Sequence, residues 1–123
     1  MKYVIALLGS LLSAGIAAPA FCREADAAPG QRLFQQRCGA CHQIATPRNS
    51  VGPHRQGVVG RAAGAVEGFR YSATLRDSGV NWTLEPLETF LGNPAAMVRG
   101  TRMTPRFNHA EERRAIIEFL GSQ

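Results

Sequence analysis

Apolar residues recur at helical spacing in three stretches of the chain. The first stretch begins at Pro29, a residue that the first turn of a helix accepts. Steps of four, four and three residues then place on one face Gly30, Phe34, Cys38 and Cys41. Because residues three or four apart share a helix face, this spacing predicts a helix over about residues 29–42.

The second stretch follows Thr83, a residue type that caps helices by accepting a backbone hydrogen bond. It predicts a helix over residues 84–92, with Pro86 tolerated in the first turn and Asn93-Pro94 ending the helix. The apolar stripe expected to face the core consists of Leu84, Leu87, Phe90 and Leu91.

The third stretch predicts a last helix that runs to Leu120, where Gly121 stops it. Asn108, followed three residues later by Glu111, has a near capping-box arrangement at its start. Its buried side is expected to carry Ile116, Ile117, Phe119 and Leu120. A short helical turn is predicted at residues 75–78.

The rest of the chain carries no strand pattern. Residues 46–68 contain two prolines and five glycines with little periodicity, which is typical of a loop. No segment alternates between apolar and polar residues with a sustained period of two. The absence of a strand pattern predicts an all-α fold, and a length of 123 residues predicts a single domain.

Residues 1–27 have the pattern of a secretory signal peptide, in which Lys2 precedes an uncharged apolar run and small-residue cleavage sites. Cleavage at the end of this segment leaves a domain at residues 28–123, and cleavage after Ala20 is the alternative. An uncleaved anchor and lipidation of Cys22 are further alternatives, although the bulky residue before that cysteine does not suit lipidation. Export predicts a periplasmic protein with no stable membrane insertion after cleavage.

The net charge of the chain indicates which class of macromolecule it binds. The formal net charge is +5, and Lys2 is the only lysine, so arginine supplies the basic surface. Such a surface suits acidic protein partners. Nucleic acid is not expected as a partner, because export separates the chain from most of it and no run of basic residues occurs.

The segment Cys38-Gly39-Ala40-Cys41-His42 has the C-x-x-C-H spacing of a covalent haem attachment site. Cysteines three apart lie on one helix face, so both sulfurs can add to the two vinyl groups along one side of a porphyrin. The next residue, turned by roughly 100°, brings an imidazole over the ring centre to bind iron.

Three other interpretations use the same cysteines. A thioredoxin-like dithiol needs a βαβ setting that an all-α chain does not provide. A structural disulfide would close so small a loop that it gains little stability, and it would leave the histidine unexplained. A zinc site would need further ligands, and only His54 and His109 remain; otherwise both are surface histidines.

Over about residues 30–120 the chain resembles the class I cytochromes c of the bacterial periplasmic and mitochondrial type. The matching segments follow in family order and at family-like spacing. Besides the haem motif they are Gly30 and Phe34, Gly52-Pro53, Val58-Val59-Gly60-Arg61, Gly68-Phe69-Arg70-Tyr71-Ser72, Asn81-Trp82, Asn93-Pro94 and Gly100-Thr101-Arg102-Met103. The resemblance implies the cytochrome c fold, with three to five helices wrapped around one covalently bound haem c.

The resemblance also implies further contacts with the cofactor. The Pro53 carbonyl is expected to accept a hydrogen bond from the ligand His42, and Arg61 to approach a haem propionate. A buried indole N–H needs a partner, which a propionate oxygen can provide. The remaining cofactor contacts are expected from Tyr71, Trp82 and Thr101.

The second iron ligand is expected to be a methionine. Met103 lies in a loop flanked by Gly100 and Pro105 and serves no amphipathic stripe, whereas Met97 is explained equally well by packing. From the residues alone the choice stays open, and the resemblance favours Met103. A thioether ligand favours ferrous iron and raises the reduction potential.

Five residues depart from the family pattern. Arg55 stands where the family usually has leucine, so this loop is expected to pack differently or to tilt its arginine outward. Arg99 replaces a proline, which removes one fixed φ angle from the methionine loop. Phe90 replaces a common tyrosine, and Ala95-Ala96 replaces a pair that is commonly rich in lysine.

The sequence therefore predicts a monohaem c-type cytochrome that carries single electrons in the periplasm. It is expected to be a monomer without enzymatic activity, and its redox partners are expected to present acidic docking faces. Two alternatives stay open: a haem domain or subunit of a periplasmic oxidoreductase complex, and a haem sensor in which Met103 does not bind iron.

Overall fold

The structure, a computed structural model, describes residues 24–123. Its helices are α1 (Glu24–Arg37), α2 (Ala73–Arg76), α3 (Leu84–Gly92), α4 (Pro94–Met97) and α5 (Ala110–Gly121). Over this range no strand forms, and a single antiparallel bridge joins Ala62 to Asn81. The predicted all-α class is confirmed. Most of the predicted signal peptide, with Cys22, lies outside the described residues. None of the described helices is long and apolar enough to cross a bilayer.

Helices α1 and α5 pack directly against each other, because α1 presents Gly30 where the two meet. A Cβ at this position would collide with the backbone carbonyl of Ala115. Next to this contact the rings of Phe34 and Phe119, both buried, pack with their centroids 5.6 Å apart. The pairing of the first and last helices fixes the position of Cys38, one residue beyond α1.

Helix α3 closes the core on another side. Its bounds match the prediction, and Leu87, Phe90 and Leu91 are buried as the stripe requires. The prediction that Leu84 belongs to the same buried stripe is wrong, because this side chain, at the first residue of the helix, is 63% exposed. The Trp82 ring packs against Phe90 with centroids 4.9 Å apart, which ties the loop before α3 to the core.

The first helix differs from its prediction at both ends. It begins at Glu24, so Pro29 lies inside the helix rather than in its first turn. It ends at Arg37, because the N–H groups of Cys38 and Gly39 both bond to the Phe34 carbonyl at 2.8 Å, and the second of these bonds departs from the helical i to i−4 pattern. The cysteine motif therefore occupies a turn and not a continuing helix.

Helix caps account for the other differences. The residue before α5 is His109 and not Asn108, and neither His109 nor Thr83 makes a side-chain capping bond. The Asn93 side chain accepts a hydrogen bond from the Ala96 N–H at 3.3 Å. Asn93-Pro94 thus ends α3 as predicted and also begins α4, a short helix that the sequence pattern did not indicate.

Candidate functional site

A cleft lies between helices α1, α3 and α5 and opens beside residues 69–72 and 102–105. Helices line its deep, apolar part with Phe34, Leu87, Phe90, Leu91, Ile116 and Leu120. Its wider outer part is a cavity of ≈ 370 Å³. Four side chains line both parts: Cys38, His42, Arg55 and Met103. An apolar cleft with a few polar groups is the usual form of a cofactor site.

The two cysteines are free thiols at the inner wall of the outer cavity. A tight turn holds them, in which the N–H groups of Cys41 and His42 both bond to the Cys38 carbonyl, at 3.0 and 2.9 Å. Burial raises the pKa of the Cys38 thiol to about 11. A nucleophilic dithiol needs a lowered pKa, so this environment does not fit a thioredoxin-like redox pair.

His42 is held as a neutral imidazole with one nitrogen free. Its Nδ1 donates a hydrogen bond to the Pro53 carbonyl at 2.8 Å, as predicted, which leaves the lone pair on Nε2. Gly52 lies directly against the ring, where a Cβ would collide with it. Burial, aided by the positive charge of Arg55, lowers the pKa of His42 to about 4. A metal ligand must have this neutral form.

The loop between α4 and α5 brings Met103 to the same cleft. The Met103 N–H bonds to the Thr101 hydroxyl at 3.3 Å, and Arg102 reaches across the opening to the Arg70 carbonyl at 2.9 Å. At the far end of the loop, Arg113 donates to the Phe107 carbonyl at 2.6 Å. These contacts anchor the loop on both sides of the methionine. His42 and Met103 therefore line the same cleft.

The other predicted contacts divide into two groups. Pro53, Tyr71 and Trp82 line the cleft, and the Tyr71 oxygen accepts a hydrogen bond from the Val66 N–H at 3.3 Å. Arg61 and Thr101 are not among the residues that line it. Arg61 instead donates to the backbone carbonyls of its own loop, those of His54 at 2.8 Å and Gln56 at 3.0 Å.

Sequence reasoning left open whether the loop at Arg55 packs differently or tilts its arginine outward. The arginine does not tilt outward: its half-buried side chain lines both parts of the cleft. The Arg55 N–H bonds to the Gln43 carbonyl at 2.8 Å, which fixes the backbone of this loop beside the histidine. Burial lowers the pKa of Arg55 to about 10, so it is a cation at neutral pH. The one signal in the sequence is a charge placed between the buried residues Pro53 and Val58.

The remaining histidines lie apart from the cysteines. His109 is exposed at the start of α5, whereas His54 is half-buried and its Nδ1 has no partner among the described residues. Across residues 24–123 no three His, Cys, Asp or Glu side chains cluster as a metal site requires. The zinc interpretation thus finds no support in this part of the chain.

A profile of the cytochrome c family matches residues 27–123. The chain belongs to the cytochrome c family. It is 42% identical over 98 residues to cytochrome cy of Rhodobacter capsulatus, a match that covers 79% of this chain and 49% of that longer protein. It is 38% identical to cytochrome c2 of Rhodomicrobium vannielii, over 80% of this chain and 79% of the relative.

The fold agrees with this assignment. The structure superposes on cytochrome cH from Methylobacterium extorquens with a TM-score of 0.74 and 36% sequence identity, over 80% of this chain and 99% of the other. The chain is thus a class I cytochrome c with the predicted fold. It carries one covalently bound haem c, and it is an electron carrier and not an enzyme, so it exchanges electrons with redox partners.

The residues of the cleft fit a haem. The two parts together offer a mostly apolar environment for a flat ring, with Cys38 lining both parts and Cys41 lining the outer one. Trp82 is 4% exposed, and the structure shows no hydrogen bond from its indole N–H to any residue that it describes. No aspartate or glutamate lines either part of the cleft. Hydrogen-bond donors without acidic acceptors suit a cofactor that brings its own carboxylates.

Proposed function

We propose that this cytochrome c attaches its haem through Cys38 and Cys41 and ligates the iron through His42 and Met103. One observation carries the assignment of the ligands: both side chains line the same two parts of one cleft. Cys38 and Cys41 are the only cysteines at residues 24–123, and a haem c needs cysteine thioethers.

The bound haem supplies a reversible one-electron couple. His42 and Met103 would both bind the iron, so that protein side chains rather than a substrate or oxygen would be its ligands. The Pro53 carbonyl orients the imidazole through the hydrogen bond at Nδ1. The apolar deep part of the cleft excludes water. In this proposal Tyr71 and Trp82 donate to the haem carboxylates, while Arg61 and Thr101 support the loops that face them.

The proposed setting is the periplasm, after removal of residues 1–27, with the protein acting as a monomeric carrier. Exposed arginines surround the opening of the cleft: Arg37, Arg70 and Arg102. Positive side chains around the opening of the cleft suit brief docking to acidic faces of redox partners. Such contacts are small and weak, since turnover requires release. Elution of the purified protein alone, as a monomer, supports a carrier; obligate copurification with an oxidoreductase supports the subunit alternative.

Acid-acetone extraction tests the attachment. Haem should stay with the protein after normal maturation, because thioether bonds survive a treatment that removes non-covalent haem. The Cys38→Ser/Cys41→Ser double variant should release or lack its haem. Cys22→Ser should retain the haem fully, because this cysteine lies in the segment that the proposal has removed on export. Extraction of haem from the wild-type protein would refute the covalent assignment.

A further inference from the structure

The guanidinium of Arg55 has no partner in the part of the chain that the structure describes. Its side chain lines both the deep and the outer part of the cleft, yet the structure shows no hydrogen bond from it to residues 24–123. A guanidinium carries five N–H donors. Leaving such a cation half-buried without an acceptor costs free energy.

The neighbouring arginine of the same loop is different. Arg61 donates hydrogen bonds to the carbonyls of His54 and Gln56, at 2.8 and 3.0 Å, and it does not line the cleft. Arg61 therefore stabilises the loop itself. Arg55 is held beside His42 by its backbone bond to Gln43 and directs its charge into the cleft.

The cleft offers that charge no carboxylate. The charged side chains that line its two parts are all arginines: Arg37, Arg55, Arg70 and Arg102. The other three are exposed to water, and Arg37 lies 3.1 Å from Glu112. Arg55 alone among them is half-buried. The anion that neutralises it must come from the group that fills the cleft, and a haem carries two carboxylates on one edge.

We propose that Arg55 is a positioning residue that pairs with a haem carboxylate inside the cleft and raises the reduction potential of the iron. This inference rests on the proposed placement of the haem in this cleft. Reduction moves one electron from a redox partner to the ferric iron, forms and breaks no bond and requires no proton. The added negative charge is stabilised by a nearby cation. Loss of the cation would also leave a carboxylate uncompensated, which favours the oxidised state, so both effects have the same sign.

Redox titration of the holoprotein at pH 7 tests the proposal. Arg55→Leu should shift the equilibrium constant for reduction about tenfold toward the oxidised state, which is about 59 mV for one electron. Arg55→Gln, a polar variant that is also neutral, should shift it in the same direction. Arg55→Lys should recover most of the wild-type potential because it restores the charge. Arg114→Leu is the matched control, since it removes the same charge from an exposed position on α5 that does not line the cleft.

A second readout follows the carboxylates directly. Redox-difference infrared spectra should show altered haem carboxylate bands in Arg55→Leu and Arg55→Gln but not in Arg114→Leu. If the Arg55 variants match Arg114→Leu in potential and in these bands, the proposal is overturned, and the side chain only covers the cleft with its aliphatic stem. The sulfur–iron absorption band of the wild type reports separately on Met103. Loss of that band would overturn the ligand assignment and leave the comparison of Arg55 variants readable.

Discussion

Met97 and Met103 lie close together in the sequence, but they face different parts of the molecule. Met103 lines the cleft beside His42, whereas Met97 lines a separate depression with Val80 and Val98. Met97 packs against the core from a half-buried position. The structure thus favours Met103 over Met97 on position alone, a choice that the residue pattern without the family left open.

Replacement of Met103 by alanine should open the iron to external ligands. Carbon monoxide should bind the reduced variant and imidazole the oxidised one, and the reduction potential should fall because the thioether that favours ferrous iron is lost. Optical spectra with each added ligand measure this. Met97→Ala should bind neither ligand and should cost only packing, about 1–3 kcal/mol of stability. An exchange of phenotypes between the two variants would show that the loop had been misassigned.

The haem motif and the contact of Pro53 with His42 could be predicted, because residue type and spacing define them. The direction in which the Arg55 side chain points could not be predicted. The C-x-x-C-H spacing indicated a haem before any geometry was known, and the resemblance correctly placed the Pro53 carbonyl on His42. Arg55 lies in an irregular loop, where no periodicity tells which way a side chain points. Its inward direction comes from the tertiary packing of that loop against His42 and Gln43.

The bounds of a helix were predicted correctly where several local sequence signals agreed. For α3, an apolar stripe, Thr83 and Asn93-Pro94 all marked the same bounds, and the structure has them. The end of α1 was placed too late, because the stripe continues through Cys38 and Cys41 while the backbone turns at the Phe34 carbonyl. A hydrophobic pattern shows which residues face the core. Residues in a turn can still face the core after the helix has ended, so the pattern does not mark the end of the helix.

Gly30 is expected to be the most sensitive point of the packing between α1 and α5. Gly30→Ala should destabilise the protein by about 1–3 kcal/mol, because the new methyl group overlaps the Ala115 carbonyl and forces the helices apart. Denaturant unfolding of the holoprotein, followed by circular dichroism, measures the effect.

Gly92→Ala provides the control for intrinsic helix propensity. A Cβ at Gly92 would meet only the Arg113 side chain at 3.8 Å, and the residue lies within α3. This change should leave stability unaltered or raise it by up to about 1 kcal/mol. Equal effects of the two substitutions would contradict the role assigned to the helix contact.

For the molecule as a whole, charge is distributed unevenly around the cofactor cleft. Arginines alone supply the charges that line the cleft, whereas a separate groove between α3 and α5 is lined by Glu85, Glu88 and Glu118 together with Arg114. A charge pattern of this kind orients a protein as it approaches an acidic partner. In the proposed function, this pattern favours docking through the cleft opening.

The near absence of lysine should change the behaviour of the whole protein at high pH. Lys2, in the predicted signal peptide, is the only lysine, so no lysine amine is available to replace Met103 once that segment is removed. The methionine should still leave the ferric iron on alkalisation, with hydroxide, His54, His109 or the N-terminal amine as the replacement. The unperturbed pKa of that amine is about 8.

Electron paramagnetic resonance during a pH titration distinguishes these ligands. The N-terminally acetylated protein should show no amine-ligated species. An amine-type signal that persists in the acetylated protein would refute the argument from lysine.

Near-infrared magnetic circular dichroism of the oxidised wild-type protein tests the central claim most directly, since the energy of its charge-transfer band identifies both axial ligands in one spectrum. At neutral pH the spectrum should show a single low-spin species with one imidazole and one thioether ligand, contributed by His42 and Met103. A high-spin species, or a band of two imidazoles or of hydroxide, would contradict the account.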